Sequence, residues 1–193
     1  RDRSPSRGLG DVYKRQIEEG LITQQYDMGV LLTSNVVLRE LSLETFFGSQ
    51  RRLWVPAKHA LLEKAEVTLA DVAAEPYILL TVDEAAGTAM KYWSKTPYQP
   101  QIRLRTSSVE AVRSTVANGL GVTVLSDMVY RPWSLEGKRI ETISLRDAVP
   151  TMNIGLGWKQ GIEFSPAMTA FRDYFRQLFL EPVVHQGRRR SGG

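Results

Sequence analysis

Short apolar runs that break off sharply and give way to capped helical stretches constrain this chain more than any other feature. Tyr77-Ile-Leu-Leu80 and Val122 to Leu125 are continuous apolar runs of strand length, bounded by turn signals and without the alternation of a half-solvated strand. Such runs suit strands covered on both faces. Thr68-Leu-Ala-Asp71 has capping-box spacing and predicts a short helix that Pro76 ends. Ser107-Ser-Val-Glu110 has the same spacing ahead of an amphipathic helix with Val109, Val112 and Val116 on one side. Gly119 then stands where a left-handed helix cap belongs.

The remaining elements follow the same rhythm. A short helical piece from Ile17 leads into the strand-like run that ends at Leu32, and Thr33-Ser34-Asn35 stops it. Arg51–Val55, Gln101–Arg105, Arg139–Leu145 and Met152–Trp158 read as further strands. A polar turn over Thr81–Thr88 opens a helix through Met90, Tyr92 and Trp93 that Pro97 and Pro100 end. Ser165-Pro166 supplies an N-cap and first-turn proline to a last helix with Met168, Phe171, Phe175, Leu178 and Phe179 on one stripe. Strands alternating with helices at this spacing predict an α/β fold built from βαβ units on a parallel sheet.

Composition narrows the chemistry. There is no cysteine, and His59 and His185 are the two histidines, which argues against thiolate catalysis, disulfides and a metal site. No cofactor is expected. No apolar run approaches the roughly 18 residues of a membrane span, and no leader peptide is visible, so no membrane partner and a cytoplasmic location are expected. The net charge is +4, but residues 1–16 hold five basic and two acidic side chains, and Arg188, Arg189 and Arg190 face only Glu181 in residues 181–193. That leaves 17–180 near −1, with no electrostatic footprint for nucleic acid. Residues 1–16 and 181–193 read as flexible tails. The run SRGLGDVYKRQ also resembles a translated sequencing-adapter read-through, which implies that residues 1–16 are not native.

Familiar catalytic patterns are missing. Ala117-Asn-Gly-Leu-Gly121 follows a helix and precedes a strand, the wrong side of a sheet for a dinucleotide fingerprint, and reads as a cap and tight turn. Asp83-Glu84 are neighbours on a turn and point apart, and His59 reads as structural or exposed. Without a nucleophile, a metal or a tuned acid–base pair, binding without chemistry is the expectation, and the chain is not expected to be an enzyme.

Three segments carry a resemblance. WVPAKHALLEKAEVTLADVAAEPYILL, from Trp54 to Leu80, resembles the entry into the second lobe of the effector domains of LysR-type transcription regulators. Ser108-Val-Glu-Ala-Val-Arg-Ser-Thr-Val-Ala-Asn-Gly-Leu-Gly-Val-Thr-Val-Leu-Ser126 is similar to that family's helix, glycine turn and strand. Ile154-Gly-Leu-Gly-Trp-Lys159 with the Ser165-Pro166 helix resembles its return strand and last helix. The resemblance as a whole covers about 17–180. The resemblance implies a periplasmic-binding-protein-like architecture of two Rossmann-like lobes joined by two crossing strands. The first lobe, 17–50 with 157–180, is expected to be incomplete, and the second covers 51–156. It also implies a small-molecule effector in the cleft between lobes, an anionic metabolite such as an organic acid. Homo-oligomerisation is implied as well, and DNA binding only through a winged helix-turn-helix absent from this chain.

Ligands in such folds sit beyond the carboxyl ends of strands, beside helix amino termini. The expected effector contacts are therefore Thr33 and Ser34 after the first strand, Thr81, Val82 and Thr88 around the central turn, and Ser107 and Ser108 after Thr106. Short hydroxyl side chains there can donate to a carboxylate without the cost of burying a lysine. Capping alone would also explain Thr81 and Ser107, at ~1 kcal/mol. Tyr92, Trp93, Tyr130 and Trp133 read as packing. The competing readings are a transport-associated solute-binding protein of the same architecture, which predicts a leader peptide, and an enzyme on a related scaffold, which would need a catalytic cysteine or acid–base set.

Overall fold

The computed structural model describes residues 9–82 and 85–180. In chain order the elements are α1 (Leu9–Ile22), β1 (Gly29–Leu32), β2 (Leu41–Ser49), β3 (Arg51–Pro56), α2 (Leu69–Ala73), β4 (Pro76–Leu80), α3 (Ala85–Trp93), β5 (Gln101–Thr106), α4 (Val109–Ala117), β6 (Thr123–Ser126), β7 (Ile140–Ile143), β8 (Met152–Lys159) and α5 (Pro166–Leu180). One lobe is a three-stranded sheet in the order β1-β8-β2, with α1 and α5 packed on it. The other holds β6-β3-β7 and the parallel pair β4-β5, with α2, α3 and α4.

The expected parallel sheet is realised only in part. β4 pairs β5 in parallel, and Tyr77 bridges Val122 in parallel, but β3 runs antiparallel to both β6 and β7, and β8 runs antiparallel to β1 and β2. The parallel pair is joined through the crossover helix α3, as parallel neighbours require. β3 and β8 are the segments through which the chain changes lobe, and each runs against the strands on either side of it. β8 reaches back to Met152, so its pairing with β2 begins ahead of the boundary expected at residue 157.

The largest core belongs to the second lobe. Val55, Val72, Tyr77, Leu79 and Trp93 lie on one side of the strands, and Trp54, Ile78, Val112, Val116 and Ile140 on the other. The continuous run Tyr77–Leu80 is thus buried on both faces, as its composition predicts. Local signals act as read from the sequence at two points. Asp71 accepts from the Thr68 backbone N–H and hydroxyl at 2.9 Å, closing the box on α2. Gly119 adopts φ +73°, with its N–H on Val116 O and that of Leu120 on Thr115 O, a Schellman closure of α4. A side chain at Gly121 would meet the Pro76 carbonyl at 2.7 Å, so both glycines of the Asn-Gly-Leu-Gly turn are structural.

The cap of α4 is one residue later than its spacing predicts. Ser108, not Ser107, is the N-cap, and its hydroxyl accepts from Ala111 N–H at 3.2 Å. Glu110 is then too early to close a box and pairs with Arg113 instead. The expected tail over 1–16 is also corrected for 9–16, which are helical within α1. The Lys14 ammonium donates to the Asn35 carbonyl and lies 3.6 Å from Glu18, which ties this turn to the body. The tail expected over 181–193 lies outside the described residues.

In the first lobe, a bulge between Thr45 and Phe47 breaks the two-residue alternation of β2. Phe46 and Phe47, consecutive in sequence, therefore both reach α5, at 6.0 Å from Phe175 and 6.1 Å from Phe179 between ring centroids. Only Met168 of the predicted α5 stripe is fully buried.

Candidate functional site

The chain ends of β1, β4, β5 and β6 converge on a cavity of about 620 Å³ between the lobes. Val30 and Leu32 of β1, Val36, and Met152 and Ile154 of β8 form the wall from the first lobe. Leu80, Val82, Val109, Val124 and Val129 face them from the second. Polar groups are few: Asn35, Arg51, Thr88, Tyr92, Ser107, Ser126 and the Lys14 side chain. A smaller hollow of about 350 Å³ shares Lys14, Asn35 and Thr88 with it and adds Thr81, Gly87 and Lys91.

Of the expected contacts, Val82, Thr88 and Ser107 line the main cavity, and Thr81 lines the adjoining one together with Thr88. The Thr81 N–H donates to the Thr106 carbonyl at 2.8 Å, which holds the ends of β4 and β5 side by side. Ser108 lines neither cavity and is occupied as a cap. Thr33 is buried within the first lobe, its hydroxyl 2.7 Å from that of Thr45, and Ser34 is exposed outside both linings. Asp83 and Glu84 lie outside the described residues. His59 caps a single 3-10 turn, its Nδ1 accepting from Leu61 N–H at 3.2 Å, which gives it a structural task.

Sequence reading missed Asn35, Arg51, Tyr92 as a wall residue, Ser126, Met152 and Ile154. Met152 and Ile154 lie on a strand far along the chain from β1, and nothing local marks them as neighbours of the turn after Leu32. Arg51 did carry a signal, being one of two basic residues at the head of a strand that continues into Leu53, Trp54 and Val55. Its guanidinium donates to the Pro150 carbonyl. Burial holds the Arg51 pKa below its usual value, while Tyr92 and Tyr77 act in the opposite sense. The phenols of Tyr77 and Tyr92 lie 3.2 Å apart, and burial raises the pKa of each, so both remain protonated hydroxyls at neutral pH. Among the described residues, no cluster of His, Cys, Asp or Glu could hold a metal ion, and no helix is long and apolar enough to cross a membrane.

Two mixed α/β lobes, two crossing segments and a strand-end cavity between them define the class of two-lobed ligand-binding domains. The LysR substrate binding domain model matches residues 12–180, and the chain belongs to that family. It is 30% identical over 128 residues to the HTH-type transcriptional regulator CysB of Burkholderia cenocepacia, covering 65% of this chain and 40% of that one. The chain thus spans about two fifths of that relative's length. Its fold matches the LysR family regulator HinK of Pseudomonas aeruginosa with TM-score 0.75 at 22% identity, over 86% of this chain and 57% of that one. It also matches the effector binding domain of QuiR in complex with shikimate, with TM-score 0.66 at 17% identity, over 86% of this chain and 78% of that one.

Proposed function

We propose that this chain is the effector-sensing part of a LysR-type transcription regulator and that a small organic anion binds in the interlobe cavity. The observation that carries this reading is the cavity itself, an apolar hollow of about 620 Å³ at converging strand ends with a small set of polar groups, Val82, Thr88 and Ser107 among its walls. Its size and lining are those of small-molecule sites in general. The QuiR effector domain, of the same fold, holds shikimate. Ligand contact with both walls favours one lobe arrangement over others, and that preference is what occupancy transmits. DNA contact belongs to a separate winged helix-turn-helix of the whole protein, which works as a homo-oligomer in the cytoplasm. The cleft recognises its ligand without transforming it.

Thermal unfolding in the presence of a broad panel of organic acids tests this. At least one acid at saturating concentration should raise the melting temperature of this chain, and Thr88→Val with Ser107→Ala should blunt that rise. Neither substitution removes a helix cap. No shift across the panel overturns the assignment of the cavity as the effector site.

A further inference from the structure

Among the described residues, Arg51 is a cation on the cavity wall with no acidic side chain paired to it. It opens β3 directly across the ladder from Ser126, and both side chains face the cavity. Among the described residues no carboxylate lies within ion-pair distance of its guanidinium. The other cation on the wall, Lys14, has Glu18 at 3.6 Å. Much of the cavity wall that Arg51 shares is hydrocarbon, from Val30, Leu32, Val82, Val109, Met152 and Ile154. A half-buried guanidinium carries a desolvation cost that its bond to the Pro150 carbonyl offsets in part and an anion would offset further.

Its position also places it at the junction of the lobes. Arg51 follows Gln50, where the chain passes from β2 into β3, and its guanidinium reaches Pro150, two residues ahead of β8. It therefore ties the first crossing segment to the second. Two further ties lie beside it: Ser126 donates to the Ser49 hydroxyl at 2.6 Å, and Asp127 N–H donates to the Gln50 carbonyl at 2.8 Å. These hold the end of β6 to the first crossing segment, and Arg51 adds a side-chain tie to the second beyond the end of the β2–β8 ladder at Ser49 and Met152.

We propose that Arg51 anchors the carboxylate of an effector with a single negative charge and an apolar body, and that through Pro150 it couples occupancy to the crossing segments. This rests on the cavity being the effector site. A guanidinium has five N–H groups in a planar fork, so one edge can serve a carboxylate while its hold on Pro150 weakens or re-forms. The geometry fits a ligand charged at one end and hydrocarbon at the other, because the rest of the described wall offers hydroxyls, the Asn35 amide and apolar side chains, and its other cation, Lys14, lies beside Glu18.

The test uses the full chain and two matched probe pairs, benzoate with benzamide and octanoate with octanamide, measured by calorimetric titration. At least one carboxylate should bind roughly 10- to 100-fold more tightly than its amide, the range of a charged hydrogen-bonded contact. Arg51→Gln should erase that preference, so that each carboxylate binds no more tightly than its amide, and Arg51→Lys, which keeps the charge without the fork, should recover part of it. Amide exchange at Met152–Ile154 should respond to the carboxylate in the wild type and not in Arg51→Gln. If the members of each pair bind equally, or if both variants retain the preference, Arg51 is not the anchor, while binding as such leaves the effector site standing. If none of the four probes binds, the apolar monocarboxylate class is overturned, and the organic-acid panel above decides separately whether the site survives.

Discussion

The two lobes solve the same packing problem to different degrees. In the second, strands are covered on both sides, and Leu53, Trp54, Val55, Ile78, Val72, Val112 and Val116 are completely shielded. In the first, the buried cluster is Leu21, Leu31 and Leu41, while Tyr174 and Leu178 of α5 are 59% and 49% exposed and Phe47 of β2 is 39% exposed. Contiguous exposed apolar surface of this kind usually marks a covered or interacting face. The comparison teaches that the second lobe supplies most of the folding free energy and holds one wall of the cavity rigid, whereas the first presents the opposite wall on a thinner foundation.

The sharpest way to break this comparison is to cut into the better-packed side. Trp54 is fully buried and meets Tyr130 edge-on at 5.5 Å. Trp54→Ala should cost about 3–5 kcal/mol, read by urea unfolding, because neighbours on both faces cannot collapse into the void. A loss below 1 kcal/mol would mean that the second lobe is not the principal source of stability. Gly155→Ala probes the other side. A Cβ there would sit 2.0 Å from the Glu44 carbonyl oxygen, in the strand that holds the first sheet together. It should cost ~1–3 kcal/mol. Hydrogen exchange should speed up in β1, β2 and β8 and stay slow at Ile78–Leu80. Equal acceleration in both lobes would show that they unfold as one unit and that the contrast is only one of surface.

What the sequence disclosed divides along the same line. Elements held by local chemistry were legible: the double-sided run at Tyr77–Leu80, the capping box at Thr68–Asp71, the left-handed Gly119 and the Ser165 cap, whose hydroxyl accepts from Met168 N–H at 3.2 Å. The α/β class and the family followed from their order. Strand direction was not legible, because a two-residue side-chain period is the same in parallel and antiparallel ladders. Nor was the bulge in β2, which leaves no mark on composition. Of the expected contacts, Val82, Thr88 and Ser107 do line the cavity, because strand ends before helices are a local feature. Arg51, Met152 and Ile154 were not expected, because they reach the cavity through crossing segments about a hundred residues apart.

Ser107 and Ser108 separate a wall residue from a cap within one dipeptide of the second lobe. Ser108→Ala should cost ~1 kcal/mol of stability and leave ligand binding intact. Ser107→Ala should change stability by less than about 0.5 kcal/mol, and its effect should appear only with ligand present. Reversal of the two outcomes in thermal unfolding would return the cap to Ser107 and remove it from the site.

The smallest effect concerns how the second lobe's short helix α2 is held at its rim. Asp71 accepts from Lys64 and from Thr68, and these bonds keep its carboxyl below the ordinary value of 3.8. A folded-state pKa below the unfolded one means stabilisation that is complete above about 3.8 and fades as pH falls through the lower folded value. The Lys64 side chain is 47% exposed, so solvent screens the ion pair and the net effect is about 0.5–1 kcal/mol, most of it from the box. Asp71→Asn should therefore be less stable than the wild type at pH 7 by that amount, and the two unfolding curves should converge as pH falls below 3.8 and through the lower folded value, where the aspartate also becomes neutral. A gap that persists undiminished in acid would show that the aspartate acts through shape and not through its charge.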